Sequence, residues 1–219
     1  MSKSISTDKL RLGVLASGRG SNLQALIDGI EAGAVQARIA VVISNKKDAQ
    51  AIERARAHGV PDVFLDPKPY ASLCDKREAY DRGVLDILRK YDVDLVLLAG
   101  YMKIVTPVLI DAYRNRMMNI HPSLLPSFPG LDVQKQALEW GVKVAGCTVH
   151  FVTEGVDEGP IILQAAVPVL ERDSPEALAA RILIEEHKLY PRAVQLYAEG
   201  RLHVEGRRVR IADSAAGCV

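Results

Sequence analysis

Met117-Met118-Asn119-Ile120-His121-Pro122 is the stretch at which the alternation of predicted strands and helices along the sequence ends. Side chains along a strand alternate between its two faces, so a strand that ends at Pro122 places Asn119 and His121 on one face. An amide donor beside an imidazole at the end of a strand suits a reaction that passes through an oxyanion. A loop in which the two side chains only satisfy each other is the alternative interpretation.

Strands and helices alternate in the sequence before this stretch. Predicted strands and helices cover, in turn, Leu10–Ala16, residues 23–30, Ala37–Ser44, Ala49–His58, Val63–Leu65, Asp75–Tyr91 and Asp94–Ala99. The last of these is a strand that is apolar along most of its length, which is typical of parallel sheets covered on both faces. The alternation therefore predicts an open, Rossmann-like α/β sheet with mostly parallel strands.

The sequence after the stretch predicts a different arrangement. It contains a short helix over Gln134–Trp140 and two strands over Lys143–Thr153 and Ile161–Leu170. Because only a short loop joins these two strands, they are expected to pair antiparallel and to extend the sheet.

A long helix and a hairpin complete the predicted fold. Ser174-Pro175-Glu176 supplies a cap, a proline for the first helical position and an acidic side chain for the positive end of a helix. This helix is expected to run to about Tyr190, where Pro191 breaks or kinks it. A small hairpin is predicted over residues 201–211 and a tail over 212–219.

Length and charge limit the class of protein. The 219 residues suffice for a sizeable core, and we predict one domain over 1–219 with a nucleotide-fold half at about 10–115 and a second half at about 116–211. Lys plus Arg number 28 and Asp plus Glu number 27. This balance gives no indication of nucleic acid or of an anionic membrane as a partner.

Cysteine usage and hydropathy indicate a soluble cytoplasmic protein. Cys74, Cys147 and Cys218 are widely spaced and form no Cys-x-x-Cys motif, so neither a disulfide framework nor a zinc site is predicted. No uncharged apolar run approaches the roughly 18 residues of a membrane span. Leu10–Ala16 is too short, and too interrupted by Arg11, for the core of a signal peptide.

A glycine-rich segment, Ser17-Gly18-Arg19-Gly20-Ser21-Asn22, lies between the first predicted strand and the first predicted helix. Glycines let backbone N–H groups point inward and the helix N-terminus adds a positive dipole, so the segment is a candidate anion site. A Walker A motif is excluded because no Lys-Ser/Thr pair follows the glycines, and Leu23 stands where a dinucleotide fingerprint has its third glycine. A single phosphate monoester fits better, and a tight turn with Ser21 or Asn22 capping the helix is the alternative.

The loop Thr153–Pro160 carries a further candidate residue, Asp157, between two glycines. Asp157 can reach the imidazole of His121 only through the fold, and a carboxylate there would fix the histidine tautomer and favour its protonated form. A solvated acidic turn is the alternative. His150 is another candidate near the site, although a histidine within a strand is more typical of satisfied structure.

Four motifs together resemble the folate-dependent formyltransferases, and among them those that act on phosphoribosylglycinamide in purine synthesis. The motifs span Asn119–Gly130, Val156–Ile162, Ser17–Gln24 and Glu186–Pro191, the last reading Glu-His-x-x-Tyr-Pro. The resemblance covers roughly Leu10–Gly206. It implies the formyltransferase fold, in which a Rossmann-like half and a folate-binding half share one continuous sheet.

The resemblance also implies roles for individual residues. Asn119, His121 and Asp157 would be the catalytic trio, and Glu186 would meet the amine of the substrate. The ribosyl phosphate would be held by Gly20, Ser21 and Asn22, and the folate by Arg77, Met102, Lys103, Ile104, Val105 and Asn119. Two positions depart from the pattern, since many family members have histidine in place of Asp132 and often arginine in place of Lys103.

The implied reaction is transfer of a formyl group from 10-formyltetrahydrofolate to the amine of glycinamide ribonucleotide in de novo purine synthesis. The amine would attack directly and form a tetrahedral oxyanion, with no covalent enzyme intermediate and no metal. The protein would act as a monomer or homodimer.

Three other functions are weighed against this one. Formyltetrahydrofolate deformylase shares the trio, but it resembles Asn-x-His-His rather than Asn119-x-His121-Pro122 and has a regulatory domain where this chain has only Met1–Lys9. Methionyl-tRNA formyltransferase would need a further C-terminal domain and a basic surface. A non-catalytic nucleotide-binding module would keep the phosphate loop but has no reason to keep the trio.

Overall fold

The protein forms a single nine-stranded sheet, seen in a computed structural model that describes residues 9–213. Residues 1–8 and most of the predicted tail, from residue 214 and including Cys218, lie outside the described residues. From one edge of the sheet to the other, the strands cover residues 62–64, 37–44, 10–16, 95–98, 117–121, 144–151, 161–168, 208–211 and 202–205. Within residues 9–213, no helix combines the length and the hydropathy needed to span a membrane.

The N-terminal part of the sheet is parallel, as the alternating pattern predicts. Its elements are β1 (Leu10–Ala16), α1 (Ser21–Glu31), β2 (Ala37–Ser44), α2 (Gln50–Ala57), β3 (Asp62–Phe64), a 3₁₀ turn (Lys68–Tyr70), α3 (Lys76–Lys90), β4 (Leu95–Leu98) and α4 (Pro107–Ala112). Strand β1 pairs in parallel with both β2 and β4. The sequence analysis did not predict the 3₁₀ turn or α4.

Strand β5 (Met117–His121) is the place where the sheet changes direction. It pairs in parallel with β4 and antiparallel with β6 (Val144–Phe151), which in turn pairs antiparallel with β7 (Ile161–Pro168). The short helix α5 (Val133–Glu139) precedes β6. The hairpin of β8 (Leu202–Glu205) and β9 (Arg208–Ile211) forms the far edge. The predicted antiparallel extension of a mostly parallel sheet is therefore confirmed.

Helix α6 (Pro175–Ala198) corrects one prediction. It begins as expected, with Ser174 Oγ accepting a hydrogen bond from the Ala177 amide. It does not end near Tyr190, because it continues through Pro191 as one helix. The turn beyond the proline buries Ala193, Val194 and Leu196, and this burial offsets the hydrogen bond that proline removes.

Two hydrophobic cores cover the two faces of the sheet. Because strand side chains alternate, Leu97 and Met118 belong to the core beneath α1 and α6, whereas Val96 and Met117 belong to the core beneath α3. The hydroxyl of Tyr190 crosses the first core and donates to the carbonyls of β4 and β5. This packing fixes the ends of β1, β4 and β5 relative to one another.

Candidate active site

The carboxyl ends of β1, β4 and β5 lie side by side at one edge of the sheet. The glycine-rich loop follows β1, residues 102–105 follow β4, and Asn119 and His121 stand at the end of β5. In open α/β sheets, ligands bind at the carboxyl ends of the strands. The topology therefore brings most of the predicted site residues to one edge.

Asn119 and His121 face the same side of β5 and both approach Asp157. Asn119 Nδ2 lies 3.4 Å from Asp157 Oδ1, and His121 Nδ1 lies 3.4 Å from Asp157 Oδ2. Asn119 is the register partner of His150 on β6, and the loop that follows β6 folds back across this face. The three side chains predicted as a trio thus meet in the fold.

A backbone carbonyl orients the ring of His121. His121 Nε2 lies 2.9 Å from the carbonyl oxygen of Phe128, in the proline-rich loop after β5. A carbonyl can only accept a hydrogen bond, so Nε2 carries a proton and donates it. Nδ1 is consequently the ring atom that faces Asp157.

Asp157 is held as a carboxylate by its surroundings. Its backbone is in the left-handed region, with φ of 56°, and its Oδ2 accepts a 2.9 Å hydrogen bond from the Gly130 amide. Burial alone would raise the pKa of this carboxyl. The contact with His150, the Gly130 amide and the neighbouring charge of His121 outweigh burial, so the pKa lies below its ordinary value.

His150, a candidate near the site that was given no role because it lies within a strand, contacts two residues of the trio. His150 Nδ1 donates to the Phe151 carbonyl at 2.9 Å, which leaves Nε2 facing Asn119 Nδ2 at 3.3 Å and Asp157 Oδ1 at 3.7 Å. The signal that could have found it is the strand register, which places His150 directly opposite Asn119. This histidine fixes the amide of Asn119.

The glycine-rich loop leads into α1 with Gly20 as the N-terminal cap residue. Gly20 has φ of 69°, and among the described residues no side chain caps this helix end. The alternative in which Ser21 or Asn22 caps the helix is therefore wrong. A Cβ on Gly20 would lie 2.8 Å from Ala51 Cα, and Arg54 Nε donates to the Arg19 carbonyl at 2.9 Å. Helix α2 thus shapes the loop and leaves the first N–H groups of α1 free of side-chain caps.

Asn22 and Glu186 form a buried pair between α1 and α6. Asn22 Nδ2 donates to Glu186 Oε2 at 2.7 Å, and Glu186 is only 7% exposed. Burial raises the pKa of the Glu186 carboxyl, an effect opposed by the Asn22 hydrogen bond and by the charge of Arg19. Asn22 Oδ1 is buried and has no hydrogen-bond partner within residues 9–213. The pair therefore presents polar atoms beside the glycine-rich loop.

A match to a known family extends over most of this site. The model of the formyl transferase family matches residues 10–194, which include the glycine-rich loop, the trio and Glu186. The chain belongs to the formyl transferase family. The formyltransferase fold that the motifs predict is thereby confirmed.

Individual relatives of this formyl transferase carry more specific names. The phosphoribosylglycinamide formyltransferase of Escherichia coli K12 is 47% identical over 86% of this chain and 87% of its own length. The crystal structure of glycinamide ribonucleotide transformylase 1 from Symbiobacterium toebii superimposes with a TM-score of 0.91 at 58% identity, over 97% of this chain and 98% of that one. A formyltetrahydrofolate deformylase from Pseudomonas syringae shares the fold at a TM-score of 0.84 and 34% identity, over 94% of this chain and 67% of that one.

The predicted folate positions of this formyl transferase lie along the segment after β4 and on α3. Met102 and Ile104 are 65% and 59% exposed, and Val105 is partly buried beside them. Lys103 Nζ lies 4.5 Å from the centre of the Tyr80 ring. Arg77 is exposed in the first turn of α3.

Cys147 and Asp132 are two further groups of this formyl transferase that could be reactive. Burial raises the pKa of the Cys147 thiol to about 12, which disfavours the thiolate that a nucleophile needs. Among the described residues, no group of three or more His, Cys, Asp and Glu side chains could hold a metal ion. Asp132, at the position where many family members have histidine, is exposed and precedes α5 with φ of 54°.

Proposed function

We propose that this enzyme transfers the formyl group of 10-formyltetrahydrofolate to the amine of glycinamide ribonucleotide, a step of de novo purine synthesis. The observation that carries the proposal is the convergence of Asn119, His121 and Asp157 at the sheet edge that also carries the N-terminus of α1. The names of the relatives from E. coli and S. toebii support formyl transfer to this nucleotide.

Asn119 and His121 stabilise the charge that develops during transfer. When the amine attacks the formyl carbon, the formyl oxygen becomes an oxyanion that needs preorganised donors. Asn119 Nδ2 and His121 Nδ1 face the same carboxylate and supply these donors from one side. The Asp157 carboxylate lies 3.4 Å from Nδ1 and interacts favourably with positive charge on the ring when Nδ1 donates. The tetrahedral intermediate then collapses as the bond between the formyl carbon and the folate nitrogen breaks. The attacking amine loses a proton, the leaving folate nitrogen gains one, and no covalent bond to the enzyme forms.

The nucleotide substrate binds between α1 and α6. The backbone around Gly20, Ser21 and Asn22 holds the phosphate through the open helix N-terminus, and Glu186 meets the amine end. The half over residues 10–115 thus supplies the phosphate site, and the half over 116–211 supplies the trio. Glu186 reaches back toward the first half to complete the nucleotide site.

The formyl donor lies against the segment after β4, close to Asn119. Its ring system packs on Met102, Lys103, Ile104 and Val105, while Arg77 meets the acidic tail of the folate. The exposed apolar side chains of Met102 and Ile104 suit a flat, largely apolar ligand.

The enzyme acts in the cytoplasm as a monomer or homodimer. Cys74 and Cys147 are the cysteines of the described residues, and both are free thiols, as proteins of a reducing compartment have them. The near balance of charge favours small-molecule substrates bound at a local site.

The test is release of tetrahydrofolate from 10-formyltetrahydrofolate, measured with and without glycinamide ribonucleotide. We expect turnover to depend on the amine and to yield the formylated nucleotide in equal amount. Equal turnover in water alone would make the protein a deformylase, the activity in the name of the P. syringae relative. Binding of the nucleotide without turnover under either condition would leave a non-catalytic module.

A further inference from the structure

The segment 102–105, here called the platform segment, exposes apolar side chains on irregular backbone. It lies between the end of β4 and the start of α4, and Met102 and Ile104 are 65% and 59% exposed. Irregular surface segments are ordinarily the more mobile parts of a fold. The platform segment differs because a buried polar side chain holds the backbone at each of its ends.

Ser17 holds the first end. The Met102 amide donates to Ser17 Oγ at 2.9 Å, and Ser17 Oγ donates to Asn45 Oδ1 at 2.6 Å. The Ser17 amide also donates to the Gly100 carbonyl at 3.1 Å. Ser17 is 3% exposed, so these hydrogen bonds are shielded from water. The glycine-rich loop and the platform segment are therefore joined through one residue.

Asp81, on α3, holds the second end. The amide and the hydroxyl of Thr106 donate to Asp81 Oδ2 at 2.6 and 2.8 Å. Asp81 is 2% exposed, and burial raises the pKa of its carboxyl despite these two hydrogen bonds and the nearby charge of Lys103. Burying a carboxylate is costly, and a neutral side chain would join two helices at a lower cost. The arrangement points to a role beyond holding α3 against α4.

We propose that Asp81 is the positioning residue of the formyl-donor site. By fixing the Thr106 end, it holds the platform segment in one conformation before the folate arrives, so that binding does not have to order this backbone. Asp81 does not touch the folate and acts through Thr106. The inference rests on the proposed function, in which the formyl donor packs on the platform segment.

The experiment measures the Kd of tetrahydrofolate by calorimetry and the KM of both substrates for the parent, Asp81→Ala and Thr106→Ser. Asp81→Ala should raise the Kd and the KM of the folates at least tenfold, and it should leave the KM of the nucleotide and the saturated kcat within about threefold. Thr106→Ser keeps both donors and should behave as the parent. Asp94→Ala is the matched control, because it removes a partly exposed carboxylate that is paired with Arg11 at 2.8 Å and should change neither KM.

The outcomes distinguish failure of the proposed function from failure of the role proposed for Asp81. A parent that does not bind tetrahydrofolate would overturn the proposed function. A parent that binds, with an Asp81→Ala variant that binds equally well and is only less stable, would overturn the inference. If Asp81→Ala does not fold, Thr106→Val removes only the hydroxyl donor, and it should still raise the folate Kd about threefold; an unchanged Kd would overturn the inference.

Discussion

The ring of His121 shows how one backbone carbonyl can set the chemistry of a side chain. His121 Nε2 donates a hydrogen bond to the Phe128 carbonyl, so the neutral ring carries its single proton on Nε2. Nδ1 therefore carries a proton only in the imidazolium form. That atom faces the Asp157 carboxylate at 3.4 Å. In the proposed mechanism, donation to an oxyanion from this side of the ring therefore depends on the negative charge of Asp157.

Asp157→Asn tests this dependence at nearly constant shape. We expect kcat to fall about 100-fold or more, the scale of a lost oxyanion donor, while the KM of both substrates changes little. The ¹⁵N resonance of His121 Nδ1 should shift, because the substitution removes the charge that lies 3.4 Å from this atom. The measurements are steady-state kinetics and NMR of the labelled protein.

Asp132→Asn is the control for Asp157→Asn, since Asp132 is exposed at the start of α5 and its side chain does not cap that helix within the described residues. This variant should keep the kcat of the parent. An Asp157→Asn enzyme within a few-fold of the parent would show that the charge of Asp157 does not act through His121.

The sequence allowed part of this site to be predicted. Strand alternation places Asn119 and His121 on one face, and the structure confirms that placement. The approach of Asp157 depends on how a loop folds back, which no local pattern encodes. His150 was not assigned because its contact with Asn119 follows from the register of β5 against β6, a long-range property.

Packing against α2 determines the backbone conformation at the N-terminus of α1. Gly20 has a positive φ, and a Cβ there would meet Ala51 of α2 at 2.8 Å, so a side chain is excluded by both backbone and packing. By contrast, no described heavy atom of another part of the chain lies within 4 Å of a Cβ built on Gly18. The two glycines of one loop therefore offer a matched comparison.

Gly20→Ala should raise the KM of the nucleotide substrate at least about tenfold, because the left-handed conformation alone costs a non-glycine residue about 1–2 kcal/mol and the loop must also move away from Ala51. The KM of the formyl donor should rise less. Gly18→Ala should keep both values. Kinetics with each substrate varied in turn checks this, and a Gly20→Ala variant that loses only folate affinity would reverse the assignment of the two sites.

Helices α4 and α6 show where local patterns mislead. Pro191 removes one backbone hydrogen bond, and rules based on neighbouring residues therefore predict a break. Burial of Val194 and Leu196 beyond the proline decides the outcome, and burial is known only once the sheet is in place. Helix α4 has six residues, too few for an apolar period to be recognised, and the signals available were Thr106 at the N-cap and Pro107 at the first position.

One continuous sheet joins the two halves of the protein, together with buried hydrogen bonds such as those of Tyr190 to the Leu98 carbonyl and of Asn22 to Glu186. The sheet was predictable because each half has its own pattern, alternating elements before β5 and closely spaced strands after it. The hydrogen bond between Asn22 and Glu186 was not, since it links residues 164 positions apart. This hydrogen bond places the buried Glu186 carboxyl where α1 packs against α6. The same carboxyl therefore affects both the stability of the fold and the proposed nucleotide site.

Glu186→Gln should therefore raise the Tm of the protein and also raise the KM of the nucleotide substrate. Burial raises the pKa of Glu186, so its contribution to stability is complete below the pKa of the unfolded chain and is lost as the pH rises through the higher folded value. Glutamine still accepts from Asn22 and has no charge to bury at any pH. We therefore expect the Tm at pH 7 to rise.

The gain in Tm should shrink toward zero as the pH falls toward about 4, where Glu186 of the parent is protonated. The KM of the nucleotide should rise at neutral pH, because glutamine cannot pair with the charge of an amine end. Glu185→Gln is the control, since Glu185 is partly exposed and paired with Lys188 at 2.8 Å, and it should give neither effect. Thermal unfolding from pH 4 to 8 measures the first effect and kinetics the second. A Glu186→Gln protein that is less stable at pH 7 would mean that the bond from Asn22 to a charged oxygen outweighs the cost of burial, and the carboxyl would then be a stabilising element of the fold.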